Sequence, residues 1–151
     1  MPDHVLIVDG HSIIFAWPEL RVVHERKTAA ARELLAKILT EYQDLSGTRV
    51  VLVFDGKGAS VSETSEPGGI QILYSNTGRT ADAIVERLVA KYAKTYSITV
   101  ATADLLEQQT AISFGADCIG AEGLRQRIDQ GRRQFASELK RRRRRESSDP
   151  G

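Results

Sequence analysis

The sequence predicts an α/β protein in which a mostly parallel sheet is sandwiched between helices, and three observations carry that prediction. Short apolar, strand-like runs alternate along the chain with longer stretches of helical period. The strongest runs, VLIV at 5–8 and RVVLVF at 49–54, are nearly continuous and rich in branched residues, as strands covered on both faces are. Strands separated by helices of this length need crossover connections, which make parallel neighbours. At 151 residues the chain has the size of one ordinary domain and can bury a core without disulfides.

Each element follows from its local pattern. Residues 5–8 form the first strand, closed by Asp9-Gly10. Residues 25–45 read as an amphipathic helix, with Ala29, Leu34, Leu35, Ile38, Leu39 and Tyr42 at helical spacing. Residues 49–54 form the second strand and run into Asp55-Gly56. Residues 57–69, rich in Gly, Ser, Glu and Pro, read as an exposed loop before a shorter strand at 70–74. A second amphipathic helix at 81–96 carries Ile84, Leu88, Val89 and Tyr92, and the strand at 97–102 (SITVAT) ends near Asp104. A helix at 105–114 stops at Gly115, Cys118-Ile119 adds a strand stub, and the last helix spans 123–139. There is no internal repeat.

Charge is distributed unevenly. Residues 1–123 hold 11 lysines and arginines against 16 acids, whereas residues 124–151 hold 10 against 4. The front is acidic and the tail basic, a pattern that suits an acidic site beside an arm for a polyanion. The run KRRRRR, comprising Lys140, Arg141, Arg142, Arg143, Arg144 and Arg145, is expected to fray into a flexible arm, since six adjacent cations repel one another and cannot share one helix face. The division expected is therefore a domain over 1–139 and a basic tail over 140–151. The single cysteine forms no intrachain disulfide, and neither a membrane span nor a secretory leader is recognisable, so the expected location is cytoplasmic.

In open α/β sheets ligands bind beyond the carboxyl ends of the strands, which makes four aspartates informative. Asp9 follows the first strand, Asp55 the second and Asp104 the strand at 97–102, while Asp82 begins the helix entered through Thr80-Ala81. Each alone also reads as a helix cap or turn residue. Four converging carboxylates repel one another and call for a cation. Hard oxygen donors suit Mg²⁺ or Mn²⁺, which commonly bind through a few carboxylates together with substrate phosphate. Phosphodiester hydrolysis is the chemistry this suggests. No G-x-G-x-x-G follows the first strand, GKGAS at 56–60 lacks the spacing of a P-loop, and His4, His11 and His24 show no metal-ligand spacing. A phosphatase with Asp9 as nucleophile lacks a second acid two positions on.

A series of motifs in fixed order carries a more specific signal. It comprises VLIVDGHSII at 5–14, AWPEL at 16–20, AARELL at 30–35, VVLVFDG at 50–56, TADAIVERLV at 80–89, ITVATADLLEQ at 98–108, GAD at 115–117 and GAEGL at 120–124. In these the chain resembles the YacP-like NYN domain family, a branch of the PIN-like metal-dependent ribonucleases, over roughly residues 3–139. The resemblance implies a PIN-like three-layer sandwich and endoribonuclease activity on single-stranded RNA with Mg²⁺ or Mn²⁺. It assigns Asp9, Asp82 and Asp104 as metal ligands and catalytic residues, with Asp55 in a supporting place. Ser12, where the family commonly has Asn, and Ala103, where it commonly has Ser, depart from the pattern. Ser12 is assigned a supporting role and keeps a second expectation open, an RNA-binding or ribosome-associated module with weak catalysis. Arg32, in the family's AR-x-x-L pattern, and Arg79, beside Thr80, are candidate phosphate contacts. So are Lys140 and Arg141 to Arg145. The expected partner is mRNA or ribosomal RNA, without a membrane, and the oligomeric state stays open.

Overall fold

The computed structural model describes residues 3–58, 62–64, 69–76 and 80–148. Strand β1 (His4–Asp9) leads through two short helices, α1 (Gly10–Ala16) and α2 (Pro18–Arg26), into α3 (Thr28–Ser46) and strand β2 (Arg49–Gly58). Strands β3 (Ser62–Thr64) and β4 (Gln71–Asn76) follow, then α4 (Ala81–Tyr92), β5 (Ser97–Ala101), α5 (Leu105–Ser113), β6 (Asp117–Ile119) and α6 (Ala121–Ser148).

The sheet has the order β3-β4-β2-β1-β5-β6. Strands β4, β2, β1, β5 and β6 are parallel, and β3 adds an antiparallel edge against β4. The α/β sandwich read from the sequence is thus the fold of the protein. Side chains alternate between the faces as strand geometry requires. Leu6 and Val8 enter a core with Leu35, Leu39 and Leu124 from α3 and α6, while Ile7 enters a second core with Val85, Val89 and Ala111 from α4 and α5. Successive connections move outward from β1 through β2 to β4, then return to the other side of β1 through β5 to β6. The switch point lies between β1 and β5, where ligands of such sheets bind.

Several elements differ from the sequence expectation. The segment read as one helix from residue 25 is two, because Lys27 is extended at φ −156° and ψ 109° and serves as the boundary. Pro18 starts α2 at its first position, where its missing N–H costs nothing. Part of the expected 57–69 loop belongs to the sheet, as the end of β2 and β3. The last helix does not end at Leu139; α6 continues through the arginine run to Ser148. Arginine is a good helix former, Glu138 and Arg142 and then Arg142 and Glu146 stand four apart, and cations near a helix C-terminus meet a favourable dipole. These terms outweigh repulsion between solvated guanidinium groups.

Trp17 is core rather than surface. Its indole N–H donates to the Ala121 carbonyl at 3.0 Å, and the Arg125 guanidinium lies 4.7 Å from the ring centroid. This joins the α1–α2 corner to α6.

Candidate metal centre

The acidic site forms where β1 and β5 end. Asp9 is the last residue of β1 and the N-cap of α1, accepting from the Ser12 N–H at 3.4 Å while only 5% exposed. The glycine after it is required by packing: a Cβ on Gly10 would collide with the Phe54 ring, which is buried within β2. The close approach brings the start of α1 against β2 and holds Asp9 at the strand end.

Asp82 comes from the first turn of α4, and two devices fix that turn. The Thr80 hydroxyl accepts from the Ala83 N–H at 3.3 Å, and Asp55 Oδ1 accepts from the Ala81 N–H at 2.7 Å. Asp55 also accepts from the Ser75 hydroxyl at 3.4 Å. It therefore orients the helix that carries Asp82, and it does not join the ligand cluster found among the described residues.

The third member of the cluster is Glu107. Asp9, Asp82 and Glu107 each present a carboxylate oxygen, and the three oxygens lie within 4.8 Å of one another. Asp104 occupies the N-cap of α5, with Oδ1 accepting from the Leu106 N–H at 2.9 Å and the Glu107 N–H at 3.3 Å. Asp104, which the family resemblance makes a ligand, stands at the exposed rim and outside the cluster found among the described residues, where its charge still acts on Asp82. One helical turn separates the two acids, so the cap at Asp104 sets the turn that sends Glu107 inward.

Glu107 is only 3% exposed, and a hydroxyl chain steadies it. Thr102 Oγ1 donates to Glu107 Oε2 at 2.9 Å and accepts from the Asp104 N–H at 3.1 Å. Ser12 Oγ lies 3.2 Å from Thr102 Oγ1 and accepts from the Ala103 N–H at 2.6 Å, tying α1 to the β5–α5 turn. Among the described residues no donor reaches the buried Glu107 Oε1. Burial, then the contact with Asp9 and the charges of Asp9 and Asp82, push the Glu107 carboxyl up to about 10. Asp82 is also raised, by burial first and then by Asp9.

A carboxyl raised this far keeps its proton at neutral pH, and the contact with Asp9 gives that proton an acceptor. Deprotonated, it would have a buried anionic oxygen without a donor, a costly arrangement unless a cation completes it. Three hard carboxylate donors and a buried oxygen that no donor reaches among the described residues fit a divalent cation such as Mg²⁺ or Mn²⁺.

Arg32, from α3, lies beside this centre. Its Nη2 donates to the Asp55 carbonyl at 3.3 Å and is 3.3 Å from His11 Nε2, while its guanidinium carbon lies 5.2 Å from the Phe54 ring centroid. Its buried Nε has no acceptor among the described residues. Arg79 lies outside the described residues. The run from Lys140 to Arg145 projects on α6, where all six residues are exposed.

The sequence pattern of the YacP-like NYN domain matches residues 6–150. The protein YacP of Bacillus subtilis (strain 168) is 33% identical over 116 residues, spanning 74% of this chain and 67% of that protein. Among solved structures, Rae1 (YacP) from Bacillus subtilis superimposes with a TM-score of 0.73 at 28% identity, covering 95% of this chain and 84% of that one. Its W164L mutant gives 0.74 at 28% identity, with 97% and 85% covered.

Proposed function

Because the chain belongs to the YacP-like NYN domain family, which is nuclease-like, we propose that it is a divalent-metal-dependent endoribonuclease hydrolysing phosphodiester bonds in single-stranded RNA. The observation that carries this reading is the Asp9–Asp82–Glu107 cluster, with a buried Glu107 oxygen that no donor reaches among the described residues, at the sheet's switch point. When bound there, Mg²⁺ or Mn²⁺ supplies a Lewis acid that lowers the pKa of water and neutralises charge developing on the phosphate.

The chain's own residues have separable tasks. Asp9, Asp82 and Glu107 hold the cation, Thr102 and the Asp104 cap orient Glu107, and Asp55 sets Asp82 through the start of α4. Asp104 itself acts from the rim. Arg32, held beside His11 and the Asp55 carbonyl, offers its guanidinium to a phosphate oxygen, whose geometry a guanidinium suits. Arg79 and the cations from Lys140 to Arg145 add phosphate contacts, so that residues 1–139 form the nuclease unit and 140–151 an appended arm. The substrate is mRNA or ribosomal RNA in the cytoplasm. No helix among the described residues is long and apolar enough to cross a membrane.

One observation favours a second reading, an RNA-binding or ribosome-associated module with weak catalysis. The Ser12 hydroxyl is engaged with Ala103 N–H and Thr102, and so steadies the turn rather than facing a phosphate. A paired assay separates the two. Wild type is expected to cut single-stranded RNA with Mn²⁺ and to stop when the metal is chelated. Asp82→Asn should lose more than the about 10- to 100-fold that removal of a merely orienting residue costs, with its fold intact in thermal melts. Wild type that binds RNA but cuts it under no divalent metal would establish the binding module instead.

A further inference from the structure

Phe15 is the large apolar side chain that α1 leaves exposed. Its ring is 50% exposed although it sits on the helix that Asp9 caps. It is also held in place. His11 lies nearly parallel to it, at 16° and 6.1 Å between centroids, and His24 from α2 meets it edge-on at 4.9 Å. His11 in turn meets the Phe54 ring at 81° and the Arg32 guanidinium at 3.3 Å. Rings on two sides of Phe15 restrict its rotamers while half of it faces solvent, which lowers the entropy that binding costs.

The surroundings match a nucleic-acid strand. Arg21, Arg26 and Lys27 are exposed on and just beyond α2, and none makes an ion pair among the described residues. Arg32 links this aromatic group, through His11, to the carbonyl of Asp55, the residue whose carboxylate sets the start of α4 and so Asp82. An exposed aromatic ring beside cations that can follow a phosphate backbone is the arrangement by which proteins hold single strands, since every base offers a face to stack on.

We propose that Phe15 is the stacking platform for a nucleobase adjoining the scissile phosphate, with His11 and His24 as positioning residues and the α2 cations holding the next phosphates. This rests on the nuclease reading above and names the part of the substrate that one rim of the site receives. Because stacking is tolerant of base identity, the platform fixes the strand's register without reading its sequence.

The test measures affinity of the full chain for a short single-stranded RNA by fluorescence anisotropy in EDTA, using oligonucleotides with one abasic position moved along the strand. A parallel cleavage assay contains Mn²⁺. Wild type is expected to lose about 5- to 150-fold in affinity at one abasic position, the range for loss of one base–aromatic stack. Phe15→Leu, which keeps apolar bulk without a ring, should bind intact RNA weakly by the same factor and become insensitive to that abasic position; Phe15→Tyr should behave as wild type. Leucine and wild-type proteins with equal affinity and equal abasic profiles would overturn the platform, and if both also cut RNA the nuclease reading would stand without it. Wild type that neither binds nor cuts RNA would overturn both.

Discussion

Glu107→Gln is expected to abolish metal-dependent cleavage while making the metal-free protein more stable at pH 8. The two effects have one cause. The amide keeps the shape of the side chain, can still accept from Thr102, and presents an N–H₂ to Asp9 where the wild type needs a proton. It cannot supply an anionic oxygen to a cation. Glu107 has a folded pKa of about 10 against an ordinary 4.5, so between those values the folded state holds a proton that the unfolded chain releases. Stability from this group is therefore fully present below pH 4.5 and falls as pH rises toward 10. The glutamine variant lacks that loss, and its advantage should be small at pH 5 and reach about 1–3 kcal/mol at pH 8, the cost of a poorly satisfied buried group. For a chain of this size that is about 2–4 °C in melting temperature per kcal/mol. Metal binding must displace the same proton, so wild-type affinity for Mn²⁺ should rise with pH. Melts and Mn²⁺ titrations at pH 5 and pH 8 check both; a glutamine variant less stable than wild type at pH 8 would make Glu107 a structural acid.

Truncation after Leu139 is expected to flatten the salt dependence of RNA binding by about two to four log–log units. Successive helical residues turn by about 100°, so the six cations from Lys140 to Arg145 point all around α6, and several meet phosphates whichever way the strand lies. Each neutralised phosphate releases counterions and contributes about 0.7 to the slope on single strands. The loss should be greatest at low salt. Because such contacts carry no sequence information, the cleavage pattern and metal requirement should not change. The fold should survive, since residues 132–147 are all exposed. RNA affinity against salt for the two proteins is the measurement, and parallel slopes would show that the arm makes no phosphate contacts.

What the sequence made legible was the sheet. Residues 5–8 and 49–54 are branched and apolar, and burial on both faces leaves a strand little room for another pattern. Asp9 and Asp82 were legible by position, at a strand end and in a first helical turn. Glu107 was not. An acid in the first turn of a helix ordinarily answers the dipole from the surface, and nothing local announces that it turns inward. The available signal was Asp104-x-x-Glu107, a cap followed three residues later by an acid, read here from its first member alone. Helices α1 and α2 were obscured because Gly10 and Pro18 resemble turn residues, whereas Gly10 answers to the Phe54 ring and Pro18 to the first helical position. In the arginine run the repulsion that predicts a frayed arm meets helix propensity and the spacing of Glu138 and Glu146 about Arg142, and α6 continues to Ser148.

The central claim is that Asp9, Asp82 and Glu107 together hold a divalent cation. It is tested most directly by a crystal structure of the full chain soaked in Mn²⁺ at pH 8, with the ion located by its anomalous scattering. The predicted result is one Mn²⁺ bound by oxygens of all three carboxylates, with Asp104 still capping α5 and Asp55 still on the Ala81 N–H. An ion seated on Asp104 or Asp55 with Glu107 turned away, or an empty cluster with Glu107 still paired to Asp9 at saturating Mn²⁺, would contradict it.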